Sequence, residues 1–170
     1  MSNVILIGFM GCGKSTVGLK LSYRLRQPVI DTDKEIERVE KRSISDIFAQ
    51  DGEECFRQME TSCLERMQET VKDKVISVGG GLPMRERNRE LLHEIGKVVY
   101  LRATPKTIYG RLKNDTSRPL LQGADPLERI TELMKKRAPL YEMAADVIID
   151  VDGKEFDEIL EEIAQAVSEA

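Results

Sequence analysis

The stretch Gly8–Thr16, GFMGCGKST, indicates the fold class. It matches the pattern G-x-x-x-x-G-K-[ST] through Gly8, Gly13, Lys14 and Ser15. The apolar run NVILI precedes it and the helix-compatible segment KSTVGLKLSYRLR follows it, which is the context that the pattern requires. Such a loop turns backbone N–H groups toward phosphates at a helix N-terminus, where the helix dipole favours anions. The stretch therefore predicts a site for the phosphates of a nucleoside triphosphate, with Lys14 reaching the β- and γ-phosphates and Ser15 ligating Mg²⁺.

Short apolar runs continue along the chain and predict the rest of the fold. They are rich in Val and Ile without polar alternation, which is typical of strands buried on both faces of a parallel sheet. There are five such runs: Asn3–Gly8, Pro28–Asp31, Val75–Val78, Lys97–Leu101 and Asp146–Asp150. Helical segments lie between them, two of which begin with a capping residue and a proline at Thr104 and Asp125. We predict one α/β domain spanning residues 1–170, with a five-stranded parallel sheet between two layers of helices.

Composition excludes several classes of function. The chain has 170 residues, of which 41% are hydrophobic and 33% charged, and a net charge of −4, so we expect no nucleic-acid partner. No apolar run is long enough to span a membrane and no export signal is present, so we expect a cytoplasmic protein. No exposed apolar stripe calls for a partner subunit, so we expect a monomer. Cys12, Cys55 and Cys63 show no CxxC spacing, which argues against disulfides and zinc. His93 lies on an amphipathic segment and is expected to be a solvated helix residue.

Two aspartates follow the second apolar run, in the sequence Asp31-Thr32-Asp33. If that strand ends at Asp31, both carboxylates lie beside the phosphate loop, and on an extended chain they point the same way. One carboxylate then serves Mg²⁺ and the other faces a phosphate acceptor. The alternative is that Asp33 caps the helix that follows. No NKxD-type base-reading motif is present, which argues against a GTPase.

Two further stretches have a structural and a functional interpretation. The three glycines Gly79–Gly81 end the third apolar run, and they either form a tight turn or floor a pocket that must exclude side chains. One glycine suffices for a turn, so three favour the pocket. Residues 114–124, NDTSRPLLQGA, are either a surface loop or part of a mobile active-site lid at about 112–124.

Several blocks together resemble the shikimate kinases, small P-loop kinases of the nucleoside monophosphate kinase type. They are GFMGCGKSTVG, DTD, SISDIFAQDGEECFRQMET, VISVGGG, RPLL and KRAPLYEMAAD, and the resemblance runs from about Val4 to Asp150. Phosphate loops occur in many families, but this combination does not. The resemblance implies a three-layer P-loop kinase fold with a mobile lid, and ATP- and Mg²⁺-dependent phosphorylation of the 3-hydroxyl of shikimate. The products are shikimate 3-phosphate and ADP, on the route to chorismate and the aromatic amino acids.

The resemblance also implies roles for individual residues. Lys14, Asp33 and Arg118 are implied as catalytic, and Ser15 and Asp31 as metal ligands. The implied ATP-binding residues are Gly11, Cys12, Gly13, Lys14, Ser15, Thr16, Arg111, Arg118 and Lys154. The implied shikimate-binding residues lie mainly in a helical region at about 33–62 and are Asp33, Phe48, Phe56, Arg57, Glu60, Gly79, Gly80, Gly81 and Arg137. Arginine forks suit the planar carboxylate of shikimate, and Glu60, three residues after Arg57, can orient that fork.

Other functions remain open at this point. A gluconate kinase has a similar build but less need for paired arginines beside a glycine triplet. A catalytically idle nucleotide-binding module binds ATP without phosphorylating an acceptor, and the intact set of Lys14, Ser15, Asp31 and Asp33 counts against it. A nucleotide acceptor is disfavoured because no second base-binding pattern is present. Lys154 and Phe156 stand where the family commonly has arginine and proline, so nucleotide preference is open.

Overall fold

The computed structural model describes residues 2–113 and 125–168. Its sheet has five parallel strands in the order β2-β3-β1-β4-β5. The strands are β1 (Asn3–Ile7), β2 (Val29–Asp31), β3 (Val75–Ser77), β4 (Gly96–Arg102) and β5 (Val147–Asp150). All five predicted strands are therefore confirmed, with ends that differ by no more than one residue. The prediction carried β1 one residue too far, because Gly8 has φ +151° and begins the phosphate loop.

Helices cover the sheet, which confirms the predicted α/β class. The helices are α1 (Lys14–Leu25), α2 (Thr32–Glu40), α3 (Ile44–Asp51), α4 (Glu53–Thr70), α5 (Glu86–Ile95), α6 (Pro105–Leu112), α7 (Pro126–Ala144) and α8 (Phe156–Ser168), with one 3₁₀ turn at Leu82–Met84. Helices α2, α3 and α4 form the helical region that the sequence predicts for the acceptor side. Most of the predicted lid at 112–124 lies outside the described residues.

The central strand β1 determines where the loop emerges. All five of its residues are buried, and it pairs with β3 through Val4 and Val75 and with β4 through Val4 and Lys97. Because no polar side chain interrupts this apolar strand beyond Asn3, it stays in the core until the chain reaches Gly8. The carboxyl ends of β1, β2 and β3 therefore lie side by side at one edge of the sheet.

The helix starts follow their capping residues, with one correction. Thr104 and Asp125 cap α6 and α7 as predicted, each accepting a hydrogen bond from a backbone N–H three residues later. Helix α2, however, is capped by Asp31, so the interpretation of Asp33 as its cap is wrong. The helix begins one residue after β2 ends, which places Asp33 in its first turn rather than on an extended chain.

Outside the candidate site, the described residues agree with the simpler interpretations. His93 lies on α5 with its side chain 42% exposed, 3.5 Å from a carboxylate oxygen of Asp146. Cys12, Cys55 and Cys63 are free thiols. In the described part of the chain, no helix combines the length and the apolar character that crossing a membrane requires.

Candidate active site

A cavity of about 510 Å³ opens at the carboxyl ends of β1, β2 and β3. The predicted components that contribute to its wall are the phosphate loop through Gly11 and Gly13–Thr16, the aspartates at the end of β2, and the first two glycines after β3. A parallel sheet brings these strand ends together although they are far apart in the sequence. One cavity thus joins the loop that would hold phosphates to the elements predicted for the acceptor.

The phosphate loop adopts the conformation that its glycines allow. Gly11 and Gly13 have φ values of +80° and +103°, which other residues rarely adopt, and Gly13 is the N-cap of α1. The Lys14 ammonium donates hydrogen bonds to the carbonyl oxygens of Gly8, at 2.5 Å, and Phe9, at 3.1 Å. Lys14 is thereby held at the cavity wall, beside the first turn of α1 that carries Ser15.

Cys12 and Arg111 occupy opposite sides of this loop. The Cys12 side chain is 1% exposed and belongs to the core, so it fills space as a small residue and leaves only its backbone for phosphate. Arg111 donates to the carbonyl of Gly11 at 3.1 Å and lines the cavity. The structure therefore places Arg111 beside the phosphate loop.

Asp31 and Asp33 both line the cavity, but they differ in their surroundings. Asp31 accepts hydrogen bonds from the backbone N–H groups of Asp33, at 2.9 Å, and Lys34, at 3.2 Å. Burial and the negative charge of Asp31 raise the pKa of Asp33, and Lys14 opposes the shift. Asp31 is thus a fixed carboxylate with one oxygen engaged in capping, whereas Asp33 is a more basic carboxylate turned toward the glycines.

The three glycines Gly79–Gly81, the glycine turn, lie against charged side chains, and their backbone conformation does not itself call for glycine. None of them has a positive φ, so a turn conformation does not demand them. A β-carbon at Gly79 would lie 2.9 Å from an Asp33 carboxylate oxygen, and one at Gly81 would lie 2.6 Å from two Arg57 nitrogens. The observation favours the pocket over the tight turn, and it adds that the pocket's own charged side chains occupy the space.

Arg57 and Glu60 form the pair that the sequence predicts on α4. An Arg57 guanidinium nitrogen lies 2.7 Å from Glu60 Oε1, and the Glu60 side chain is fully buried. Burial raises the pKa of Glu60 to about 7, against the attraction of Arg57. Among the described residues, Glu60 Oε2 has no hydrogen-bond partner. Like the Asp33 carboxylate, it lies close to where a β-carbon of Gly79 would be.

Aromatic residues and a second arginine complete the acceptor side. The rings of Phe48 and Phe56 lie 5.0 Å apart; Phe56 is buried, whereas Phe48 is 38% exposed. The guanidinium carbon of Arg57 is 5.3 Å from the centre of the Phe56 ring. Arg137, on α7, approaches the opposite side of the glycine turn, 3.4 Å from where a β-carbon of Gly80 would be.

Two predicted residues are not brought into this arrangement. Lys154 is paired with Glu162 at 2.7 Å and does not line the cavity, because the loop after β5 directs it toward α8. Phe156, two residues later, lines the cavity instead. Arg118 lies outside the described residues.

Three buried polar residues near the glycine turn were not identified from the sequence. They are Thr32 on α2, Asn88 on α5 and Tyr141 on α7, each no more than 1% exposed. Tyr141 lies within the block KRAPLYEMAAD and Thr32 between the two aspartates, so the quoted motifs contained both without indicating their contacts. Asn88 lies on an amphipathic helix and carries no sequence signal, since its contacts are with residues distant along the chain.

Comparisons with known proteins agree with this geometry. The sequence model of the shikimate kinase family matches residues 10–168. The shikimate kinase of Thioalkalivibrio sulfidiphilus is 44% identical over 96% of this chain and 86% of its own length, and that of Dictyoglomus turgidum is 42% identical over 96% of each chain. The solved structure of Acinetobacter baumannii shikimate kinase in complex with shikimate has a TM-score of 0.90 at 36% identity, covering 99% of this chain and 93% of its own.

These matches decide between the functions that the sequence left open. The family model spans the phosphate loop, the acceptor helices and the glycine turn together, so the match does not rest on the phosphate loop alone. With relatives at more than 40% identity over nearly the whole chain, the gluconate kinase and idle-module interpretations are set aside. This chain belongs to the shikimate kinase family.

Proposed function

We propose that this chain transfers the γ-phosphoryl group of ATP to the 3-hydroxyl of shikimate in a Mg²⁺-dependent reaction. The single observation that carries the proposal is the position of Arg57. Its guanidinium is held by Glu60 and lies against Gly81, the residue that follows the two glycines lining the cavity with the phosphate loop. An anionic ring held there would have its hydroxyls directed toward the loop.

The acceptor carboxylate is assigned to Arg57 and Arg137. They lie on α4 and α7 and approach the glycine turn from two sides. A guanidinium fork binds a planar carboxylate with paired hydrogen bonds, which a lysine cannot match. Glu60 restricts the orientation of Arg57, so less rotational freedom is lost when the acceptor binds.

Asp33 is assigned to the acceptor hydroxyls. Asp33 lies close enough to the phosphate loop for the charge of Lys14 to affect its pKa. It also lies against the glycine turn at Gly79. A carboxylate whose pKa is raised by burial is a better proton acceptor for an attacking hydroxyl than a solvated one. Asp33 would orient the hydroxyl for in-line attack and take up its proton as the new phosphate ester bond forms.

The oxygen donors beside the loop fit a magnesium ion held partly by nucleotide. The Ser15 hydroxyl and the Asp31 carboxylate line the same part of the cavity, and Mg²⁺ prefers such oxygens together with phosphates and water. Among the described residues, no group of three or more acidic, histidine or cysteine side chains would hold a metal alone. When bound, the ion neutralises charge that develops on the phosphate oxygens.

Lys14 and the loop N–H groups hold the β- and γ-phosphates in this scheme. Phosphoryl transfer has a loose transition state, so positioning and charge stabilisation supply most of the catalysis. Arg111 is assigned to the nucleotide side, since it reaches the loop carbonyl at Gly11. The roles of Arg118 and Lys154 rest on the resemblance alone.

The proposal is tested by measuring ADP release from ATP and Mg²⁺ with shikimate, with gluconate and with no acceptor. We expect release that depends on shikimate, with kcat reduced at least about a hundredfold by Asp33→Asn, because a positioned proton acceptor contributes about that much. We expect Arg57→Lys to raise the KM for shikimate about tenfold or more, since a half-buried charge-assisted fork is lost.

Arg38→Ala is the matched control. Arg38 pairs with Glu35 at the same sequence separation as Arg57 with Glu60, but its side chain is 71% exposed. Its removal is expected to change neither kcat nor KM. Release that is equal with and without shikimate, or that Asp33→Asn and Arg57→Lys leave intact, contradicts the proposal.

A further inference from the structure

The backbone of the glycine turn is held by side chains from three separate helices. The Gly79 N–H donates to the hydroxyl of Thr32 at 3.2 Å, and the Tyr141 hydroxyl donates to the Gly80 carbonyl at 2.6 Å. One residue beyond the turn, the Asn88 side-chain amide donates to the Leu82 carbonyl at 2.9 Å. Thr32, Asn88 and Tyr141 are together called the polar clamp.

The polar clamp lies in the protein interior, where unpaired polar groups are costly. Thr32 and Asn88 are 0% exposed and Tyr141 is 1% exposed. Removing one partner of a buried hydrogen bond leaves the other group unsatisfied. Three such bonds at consecutive places on one short segment fix the position of a backbone that has no side chains of its own to pack.

Two members of the polar clamp are also connected to the helices that carry the arginines assigned to the acceptor carboxylate. Asn88 accepts a hydrogen bond at 2.7 Å from Thr61, and the Thr61 hydroxyl lies 3.3 Å from the carbonyl of Arg57 one turn earlier on α4. Tyr141 follows Arg137 by one turn on α7, and the charge of Arg137 opposes the rise in pKa that burial causes at Tyr141. The clamp therefore joins the glycine turn to the helices that carry both arginines.

We propose that Thr32, Asn88 and Tyr141 are positioning residues, which hold the glycine turn at the distance from Arg57 and Arg137 that acceptor binding requires. The inference rests on the proposed function, since it concerns the same acceptor site. None of the three needs to touch the acceptor or the nucleotide. A displacement of the turn changes its distance from the two arginines, so the acceptor binds to a less well pre-organised site.

The sharpest test is the removal of a single oxygen, Tyr141→Phe, compared with Tyr100→Phe. The two tyrosines are buried neighbours with ring centres 5.1 Å apart, and the Tyr100 hydroxyl makes no hydrogen bond to another described residue. We expect Tyr141→Phe to raise the KM for shikimate about tenfold, because one buried hydrogen bond is lost. The KM for ATP and all constants of Tyr100→Phe are expected to stay at wild-type values.

Asn88→Ala is compared with Asn3→Ala. Asn3 is an equally buried asparagine that joins three segments, through Val71, Lys74 and Ile95, at the other end of the sheet. Both variants are expected to lower Tm, but only Asn88→Ala is expected to raise the KM for shikimate. Thr32→Val removes the hydroxyl oxygen without loss of side-chain volume. Thr32→Ser keeps that oxygen and is expected to have the wild-type KM for shikimate.

The outcomes separate this inference from the proposed function. If wild-type protein shows no shikimate-dependent release of ADP, the proposed function fails and the clamp has no acceptor to position. If wild-type protein is active and Tyr141→Phe behaves as Tyr100→Phe does, the inference is overturned. It is also overturned if Asn88→Ala and Asn3→Ala shift Tm alike and leave both KM values unchanged.

Discussion

Arg57 lies across the α-carbon of Gly81, so that a β-carbon there would come within 2.6 Å of both terminal guanidinium nitrogens. The obstacle is the far end of a flexible side chain, which can move aside at small cost in folding free energy. The guanidinium would then lose the position in which Glu60 holds it, 2.7 Å away. A side chain at Gly81 should therefore disturb acceptor binding while changing the folding free energy little.

Gly81→Ala is therefore expected to impair acceptor binding without unfolding the protein. The KM for shikimate should rise about tenfold, while the free energy of unfolding changes by less than about 1 kcal/mol. Steady-state kinetics and urea denaturation measure the two effects. Gly96→Ala is the converse control, because its β-carbon would meet the backbone carbonyl oxygen of Asn3 at 2.4 Å; it should lose stability and keep both KM values.

Glu60 gives a prediction about pH and stability. Its pKa in the folded protein is raised to about 7 by burial, from 4.5 when unfolded, so the folded state retains the proton that the unfolded state has lost. The stabilisation from protonated Glu60 is fully present below pH 4.5 and is lost as the pH rises through about 7. Glu60→Gln removes this titration, so the free energy of unfolding of wild type relative to the variant should fall by roughly 2 to 3 kcal/mol between pH 5 and 8.

Denaturant titrations of both proteins at several pH values test this prediction. Glu35→Gln provides the control with the opposite sign, since a hydrogen bond from Arg38 lowers the pKa of the partly exposed Glu35 from 4.5. Stability of wild type relative to this variant should increase slightly with pH between the folded pKa and 4.5, and should stay constant between pH 5 and 8. If the free energies of unfolding of wild type and Glu60→Gln differ by the same amount at every pH, Glu60 does not titrate in this range.

Phe48 is expected to act in acceptor binding rather than in the core. It is 38% exposed and contacts the buried Phe56, whose ring also lies against the Arg57 guanidinium. Phe48→Ala should raise the KM for shikimate several-fold while costing about 1 kcal/mol of stability, the usual contribution of an aromatic pair. Tyr23→Ala, at a side chain 79% exposed on α1, should change neither quantity.

The two roles of Asp31 can be separated by two substitutions. Asparagine is as good a helix N-cap as aspartate, whereas alanine loses the cap at a cost of about 1 kcal/mol. Asp31→Asn should therefore keep the stability of the wild type but require a higher Mg²⁺ concentration for half-maximal rate. Asp31→Ala should show both defects, and equal Mg²⁺ dependence in all three proteins would remove Asp31 from the metal site.

The sheet was predictable because its strands carry a strong local signal. Runs such as Val75–Val78 are rich in Val and Ile without polar alternation and are closed by glycine or aspartate, so their type and approximate limits follow from a few consecutive residues. The helix cap was harder, since Asp31 and Asp33 are both good capping residues and only the end of β2 decides between them. Lys154 illustrates the same limit, because its pairing with Glu162 depends on where α8 packs.

Contacts within one helix could be foreseen, whereas contacts between helices could not. The spacing of Arg57 and Glu60 predicts their pairing, since residues three apart on a helix are neighbours. The bond from Tyr141 to Gly80 joins positions 61 residues apart, and nothing in either local sequence indicates it. The polar clamp therefore became visible only when the sheet had brought α2, α5 and α7 to the same strand end.

The separation of Asp33 and Arg137, on α2 and α7, has a consequence for the bound state. The phosphate loop is one continuous segment, but an acceptor held by both residues would tie together points about a hundred residues apart. Such a ligand acts as a reversible cross-link and must be released before either helix can detach from the sheet. Shikimate is therefore expected to protect the amides of α2 and α7 together from hydrogen exchange, with protection that scales with its concentration.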